Sequence, residues 1–342
     1  MKRIAKVLAM GLALVLALAG CSDVIDAGPL STGDTGDRPN GAVVPETRPD
    51  ATDALSEDDD TAPEASDKEP GASDTTSPRT PESGKRTTGG NETETTSIRL
   101  YFMAPGGGTP ARAAGPFLVS VHREIPSTPG IARASLTELV DGPSGADKAL
   151  IDGVASAVPA DTIVLDINID DGLATVDLSR EFESGGGSFS ILARLAQVVY
   201  TVTQFPTVDE VEFRLDGEPV TVFSGEGIVL DGPASRDDFV DLLPTVFVDS
   251  PAAGAEVQGS LRASGMATVF EATFQYRLAA ADGTVLAEGF AMTDGGEDWG
   301  SFDVTIGFDL GQTQQGTLTV WEYSAKDGTI QAERVTPLVL AP

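Results

Sequence analysis

Between Asp161 and Gly217 the spacing of apolar residues changes period twice. Ile163, Leu165, Ile167 and Ile169 alternate with Val164, Asp166 and Asn168, the period-2 rhythm of a strand with one apolar face. Asp171-Gly172 then supplies the positive-φ positions of a tight hairpin. On the return strand Ala174, Val176 and Leu178 share one face, and Thr175 and Asp177 the other. After Gly185-Gly186-Gly187 the rhythm becomes helical: Ile191, Leu195, Val198, Val202 and Phe205 fall on one stripe. Ser188 or Ser190 can cap the first turn. Val211, Phe213 and Leu215 alternate again before Asp216-Gly217. A helix with one apolar stripe and strands with one apolar face bury each other, which predicts a two-layer α/β core.

Upstream, Ile98 to Phe102 and Phe117 to Ile125 read as strands around a Gly/Pro-rich loop, Ala104 to Gly115. A helix is expected within Thr128 to Gly142, with Ala134, Leu136, Leu139 and Val140 inward and Gly142-Pro143 as its stop. A second helix is expected over about Ala146 to Ala157, ended by Val158-Pro159. The predicted order is β-β-α-α-β-β-α-β. From Thr245 the chain reads all-β. Phe270, Ala272, Phe274, Tyr276 and Leu278 alternate with polar residues, Asp282-Gly283 turns the chain, and Phe302, Val304, Ile306 and Phe308 alternate in turn. About seven short strands without a helical stripe predict a β-sandwich, with Trp299 or Trp321 in its core.

The first hundred residues follow another pattern. Lys2, Arg3 and Lys6 precede an apolar run, Val7 to Ala19, too short for a comfortable spanning helix. The run closes on Leu18-Ala19-Gly20-Cys21, which resembles the bacterial lipobox. That resemblance implies acylation of the Cys21 thiol after removal of residues 1–20, and two or more acyl chains anchor stably where one does not. Residues 22–97 hold no aromatic residue and are dominated by Pro, Gly, Ser, Thr, Asp and Glu. Such a segment cannot bury enough apolar surface to offset ordering entropy, so 21–97 is expected to be a disordered tether. Its ~75 residues would span roughly 50 Å. The predicted domains are thus a signal peptide (1–20), the tether (21–97), an α/β domain (98–230), a connector (231–244) and a sandwich (245–342).

Composition removes several function classes. The 342 residues carry a formal charge of −31, from 53 acidic and 22 basic side chains, so nucleic acid is not an expected partner. Cys21 is the only cysteine and His122 the only histidine. An internal disulfide and a multi-histidine metal site are therefore impossible. His122 falls on the polar side of its strand and is expected to be a surface residue. Gly106-Gly107-Gly108 lacks the Lys-Ser or Lys-Thr of a phosphate loop. The acidic run 57–60 lacks the turn glycine and spaced ligands of a calcium site, the loop of Asp294, Glu297 and Asp298 is the other candidate for that ion, and no metal or cofactor is expected.

Leu100-Tyr101-Phe102, Leu139-Val140-Asp141-Gly142-Pro143, Val158-Pro159, Asp171-Gly172, the stretch 174–179 and Val199-Tyr200-Thr201-Val202-Thr203-Gln204-Phe205 together resemble the GerMN domain, a family named for sporulation and spore germination. Ser250-Pro251, Gly265-Met266-Ala267, Val269-Phe270-Glu271-Ala272, Trp299-Gly300-Ser301-Phe302 and Glu322-Tyr323-Ser324-Ala325 resemble the immunoglobulin-like domain that accompanies it. The resemblance implies an α+β chain and no catalytic residues. Asp177 and Ser179 are expected to cap turns. Tyr200 and Gln204 are expected to pack beside the helix stripe, with a cleft role for them and Asp177 as the other reading.

The function expected is that of a non-enzymatic lipoprotein on the extracytoplasmic face of the cell membrane. Its partners would be the lipid anchor and either an envelope protein or a second copy. One alternative is binding of peptidoglycan glycan, with Trp299 or Trp321 stacking on a sugar ring. Another is a carboxylate-based hydrolase using residues such as Glu271 and Glu322, which would have to face each other across a cleft.

Overall fold

Two strands, β1 (Thr95–Ala104) and β2 (Phe117–Pro126), open the fold as an antiparallel hairpin with Leu100 opposite Val121 and Phe102 opposite Val119. The computed structural model describes residues 94–106, 115–223, 227–296 and 298–342. The expected signal peptide, Cys21 and nearly all of the expected tether lie outside the described residues; β1 begins at Thr95, ahead of the expected Ile98.

Helix α1 (Ile131–Asp141) buries Ala132, Ser135, Leu136 and Leu139. Ala134 and Val140, expected inside, sit half-buried at the margin of the core. Gly142 ends the helix at φ 80°, and its N–H donates to the Leu139 carbonyl. Helix α2 (Gly145–Leu150) begins with a capping box between Ser144 and Asp147. It is half the length expected. Ile151 is already extended, Gly153 turns at φ 70°, and Ala155 exchanges two backbone bonds with Met103 of β1. A non-local ladder bond takes the place of further helix.

Strands β3 (Val164–Asp170) and β4 (Gly172–Leu178) form the expected hairpin, with Asp171 and Gly172 both at positive φ. The expected inward face is wrong at its start. A bulge between Val164 and Asp166 shifts the register, so Val164 is buried while Ile163 and Leu165 are exposed. Helix α3 (Ser188–Val202) then crosses to β5 (Val208–Leu215), which runs parallel to β4. The short β6 (Glu218–Pro219) completes a four-stranded sheet in the order β3-β4-β5-β6, and β7 (Val222–Phe223) pairs with β8 (Ile228–Val229).

A single apolar stripe was expected on α3, yet eleven of its fifteen residues are buried. Covering it on most sides are the β1–β2 hairpin, α1, β5 and a 3-10 segment, Arg236–Leu242. Its N-cap is the backbone of Gly187 rather than a serine hydroxyl, and Phe205 lies past its end. The segment 231–244, expected as a connector, contributes Phe239, Leu242 and Leu243 to this core.

The remaining strands are β9 (Val246–Ser250), β10 (Glu256–Gln258), β11 (Ser260–Ala267), β12 (Thr273–Ala280), β13 (Val285–Met292), β14 (Gly300–Gly307), β15 (Gln314–Tyr323) and β16 (Ile330–Ala341). They form two sheets, β10-β16-β15-β12-β13 and β14-β11-β9. Phe274, Leu278, Phe302, Ile306 and Leu318 fill the space between them. Phe270 does not join the expected alternation. Glu271 and Ala272 adopt positive φ, which turns Phe270 outward. Trp321 is 3% exposed, and Trp299 is half-buried against the core of the first domain.

The two domains are joined by more than the chain between them. Ala253 accepts from the His122 N–H and donates to the Ser120 carbonyl, which adds a backbone pair to the edge of β2. Phe247 of β9 is buried in the core of the first domain, its ring edge-on to Tyr200 at 5.8 Å between centroids.

Candidate functional site

A dense polar cluster lies where the domains meet. Strand β1 supplies Tyr101 and Arg99, α3 supplies Tyr200, the 3-10 segment supplies Arg236, and the end of β9 supplies Asp249. Arg236 makes the central contacts. Its Nη1 donates to Asp249 Oδ2 at 3.0 Å, Nη2 to the Tyr101 hydroxyl at 3.2 Å and the Tyr200 carbonyl at 3.1 Å, and Nε to Thr203 Oγ1 at 2.8 Å. The guanidinium also lies 4.6 Å from the Tyr200 ring centroid and 5.4 Å from that of Tyr101. Tyr101 donates to Asp249 Oδ1, and Arg99 Nε reaches the Tyr101 hydroxyl at 3.1 Å. A planar fork suits this geometry, because a lysine could not serve so many acceptors at once.

Burial sets the charge states. It pushes the Tyr101 phenol up to about 12, and the adjoining Asp249 carboxylate adds to the effect. Burial also raises Tyr200. For Arg236 burial opposes the charge, but Tyr101 and Asp249 outweigh it and the net direction is upward. At neutral pH the two phenols therefore keep their protons and the two guanidiniums stay charged beside the Asp249 side chain. All are committed to one another. Chemically this is a clamp between domains rather than a nucleophile with its base.

A cavity of about 480 Å³ adjoins the clamp, lined by Tyr200, Arg236 and Asp249 and by Asp294, Phe302 and Asp303 among others. Its carboxylates are engaged: Asp294 accepts from the Ser301 N–H, and Asp303 pairs with Arg262, which holds it below the usual carboxylate range. A second cleft, of about 340 Å³, is lined by Arg99, His122, Gln204, Glu256 and Arg262 among others. There His122 is half-buried, with Nδ1 3.0 Å from Ser97 Oγ and Nε2 3.2 Å from Glu124.

The structure distributes the sequence candidates rather than gathering them. Tyr200 joins the clamp, while Gln204 pins β1 by accepting from the Arg99 N–H and donating to the Arg99 carbonyl. Asp177 caps the turn at Gly217, Ser179 accepts from the Ile163 N–H, and Asp177 lines neither cavity. Glu322 accepts from the Phe270 N–H at 3.3 Å; Glu271 sits exposed in the kink. Burial removes Trp321 as a stacking platform for a sugar, and Glu297 lies outside the described residues.

Sequence reasoning missed Arg236, Asp249 and Tyr101. It also missed two polar side chains inside α3. Gln197 donates to the Tyr101 carbonyl and accepts from the Ala157 N–H, and Arg194 spends its donors on the carbonyls of Phe182, Ser184 and Gly185 and on Ser190. A readable signal was present: polar residues interrupting an otherwise apolar helix, and one arginine inside the acidic stretch 231–241.

A family model described as sporulation and spore germination matches residues 99–221, and one described as the immunoglobulin-like domain of bacterial spore germination matches residues 245–329. The chain carries a GerMN domain followed by an immunoglobulin-like spore germination domain. Tyr101 and Tyr200 belong to the GerMN domain and Asp249 to the immunoglobulin-like domain. Arg236, which joins them, lies in the stretch that neither model covers.

The spore germination protein GerM of Bacillus subtilis (strain 168) is 29% identical over 130 residues, which is 37% of this chain and 34% of that protein. The chain thus matches about a third of that relative's length. Among solved structures, the first GerMN domain of Bacillus subtilis GerM shows 24% identity, covering 42% of this chain and 99% of that one with a TM-score of 0.35. The tandem GerMN domains of the same protein show 17% identity over 72% and 61%, with a TM-score of 0.36.

Proposed function

We propose that this chain is a non-enzymatic interaction module of the cell envelope, related to sporulation and germination proteins and lipid-anchored through Cys21 on the extracytoplasmic face of the membrane. The observation that carries the reading is the Arg236 clamp. It fastens the GerMN and immunoglobulin-like domains together with side chains that are all bound to each other. A fixed pair of domains presents a composite surface, as an assembly component needs, and the acidic exterior favours standing off anionic head groups over lying on them. The lipobox-like Leu18-Ala19-Gly20-Cys21 and the aromatic-free stretch behind it support an anchor and a spacer.

Two measurements test this. Cys21→Ser should move the chain from the membrane fraction to the soluble one. Crosslinking in intact cells should capture an envelope protein or a second copy. Continued membrane partitioning of Cys21→Ser would sink the anchor, and turnover of wall polymer by the purified chain would sink the non-enzymatic role.

A further inference from the structure

The cleft of about 340 Å³ between the domains has a wall rich in hydrogen-bond donors and short of acceptors. Strand β1 brings Arg99 to it and β11 brings Arg262. Arg99 is half-buried and enters the clamp through Nε alone, on the Tyr101 hydroxyl. Asp249 lies 3.9 Å from its Nη2, too far for a hydrogen bond, and already holds Tyr101 and Arg236. The N–H groups on Nη1 and Nη2 therefore have no hydrogen-bond acceptor among the described residues. Arg262 gives Nε and Nη2 to Asp303 and keeps Nη1. The Ser250 hydroxyl on the same wall is likewise without a partner among the described residues.

Acceptors on the wall are spent or few. Gln204 Oε1 takes the Arg99 N–H, and both ring nitrogens of His122 are engaged, with Ser97 and Glu124. Glu256 is the one carboxylate among the described residues bordering the cleft. A half-buried guanidinium with its fork unspent is completed by an acceptor from outside. Water offers a single oxygen. A carboxylate or phosphate group offers two in the plane of the fork, with the opposite charge.

Long-range charge works against such a ligand. The net −31 repels anions, an effect screened over about 8 Å in physiological salt. Capture then depends on the short contacts inside the cleft, and affinity is modest.

We infer that this cleft binds a small oxyanion, a carboxylate or phosphate group. The Arg99 fork holds it from the GerMN domain, and Arg262 Nη1 and Ser250 Oγ hold it from the immunoglobulin-like domain. Because its contacts come from both domains, the anion binds the joined pair and strengthens the union that the clamp makes. The inference goes beyond the interaction-module reading and holds with or without an anchor at Cys21.

His122 faces Arg99 across the hairpin, borders the cleft and is the only histidine, so its imidazole C–H signals report on this place alone. The purified full chain is titrated with inorganic phosphate and, separately, with succinate, at fixed pH and with ionic strength matched by chloride. The His122 signals should shift and saturate, half complete at about 1–10 mM. Arg262→Gln and Arg99→Gln should each raise that concentration about tenfold or more. Arg262 is exposed and outside the clamp, so its variant reads the site even where Arg99→Gln loosens the domains. Saturation by phosphate alone assigns a phosphate group, by succinate alone a carboxylate, and by both the oxyanion they share. A shift that fails to saturate with either anion up to about 100 mM overturns the inference, as does one that chloride reproduces or that Arg262→Gln leaves unchanged. Any of these leaves the membrane partitioning of Cys21→Ser and the crosslinking in cells untouched, so failure here is distinct from failure of the module reading.

Discussion

Tyr101 donates its hydroxyl hydrogen to Asp249 across 148 residues of sequence, from the first strand of the GerMN domain to the first strand of the immunoglobulin-like domain. The same carboxylate takes Arg236 on its other oxygen. Local propensity brings neither contact about. Both form only when the two domains are folded against each other, so Asp249 reports on their union.

Asp249→Asn keeps the shape and removes the charge. Arg236 then loses its ion-pair partner in a mostly buried site, and Tyr101 loses a strong acceptor. The expected loss is about 2–3 kcal/mol, within the range for breaking hydrogen bonds to charged groups. Urea unfolding followed at once by tryptophan fluorescence and far-UV circular dichroism is the measurement. The wild type should give coincident curves and the variant separated ones, because the domains lose their coupling before they lose their folds.

The phenols predict an alkaline limit. Burial and then Asp249 raise Tyr101 from 10.0 to about 12, and burial raises Tyr200 in the same direction. In the unfolded chain both ionise near 10, while in the folded chain they hold their protons. The unfolded state therefore binds fewer protons above pH 10, and stability falls as pH rises from about 10 to about 12. Below pH 10 this contribution is fully present. Absorbance at 295 nm should show that at least two of the four tyrosines ionise only as the fold is lost. Tyr101→Phe should flatten part of that decline.

Elements written by local rules were legible in the sequence. Asp171-Gly172 gave a hairpin, Gly142-Pro143 a helix stop, and the stripe of Ile191, Leu195 and Val198 a helix. Elements decided by distant partners were not. Helix α2 ends early because Ala155 pairs with Met103. The clamp depends on Arg236 reaching Tyr101, 135 residues away. Neither the family motifs nor the hydrophobic pattern marks Arg236, because its role appears only where β1, α3, β9 and its own 3-10 segment converge.

The bulge in β3 makes the most direct test of pattern against structure. Strict alternation places Ile163 inward and Val164 outward, and the fold reverses them. Ile163 is 60% exposed and Val164 buried. Ile163→Ser should therefore change stability by about 0.5 kcal/mol or less, as for an ordinary surface site. Val164→Asp buries an unpaired carboxylate and should cost about 3 kcal/mol or more. Paired thermal melts decide between the two registers, and equal effects would refute the bulge.

Gly265 sits where β11 shifts register against β9, and a β-carbon built on it would lie 1.9 Å from the Phe247 carbonyl oxygen and 3.0 Å from the Asp249 nitrogen. Both obstacles are backbone, so no side chain can rotate away. Relief requires β9 to move. That strand carries Phe247 into the first core and Asp249 into the clamp. Gly265→Ala should then cost more than ordinary overpacking, about 3 kcal/mol or more against the usual 1–3. The damage should also reach the other domain. In a spectrum of the amide protons, the Arg236 and Tyr101 signals should shift together with those of β9. Gly307→Ala, where a β-carbon meets nothing within 4 Å, is the control and should leave both stability and the clamp signals as they are. If Gly265→Ala changes only resonances within the sandwich, the two domains are less tightly joined than the shared core and the Asp249 bonds require.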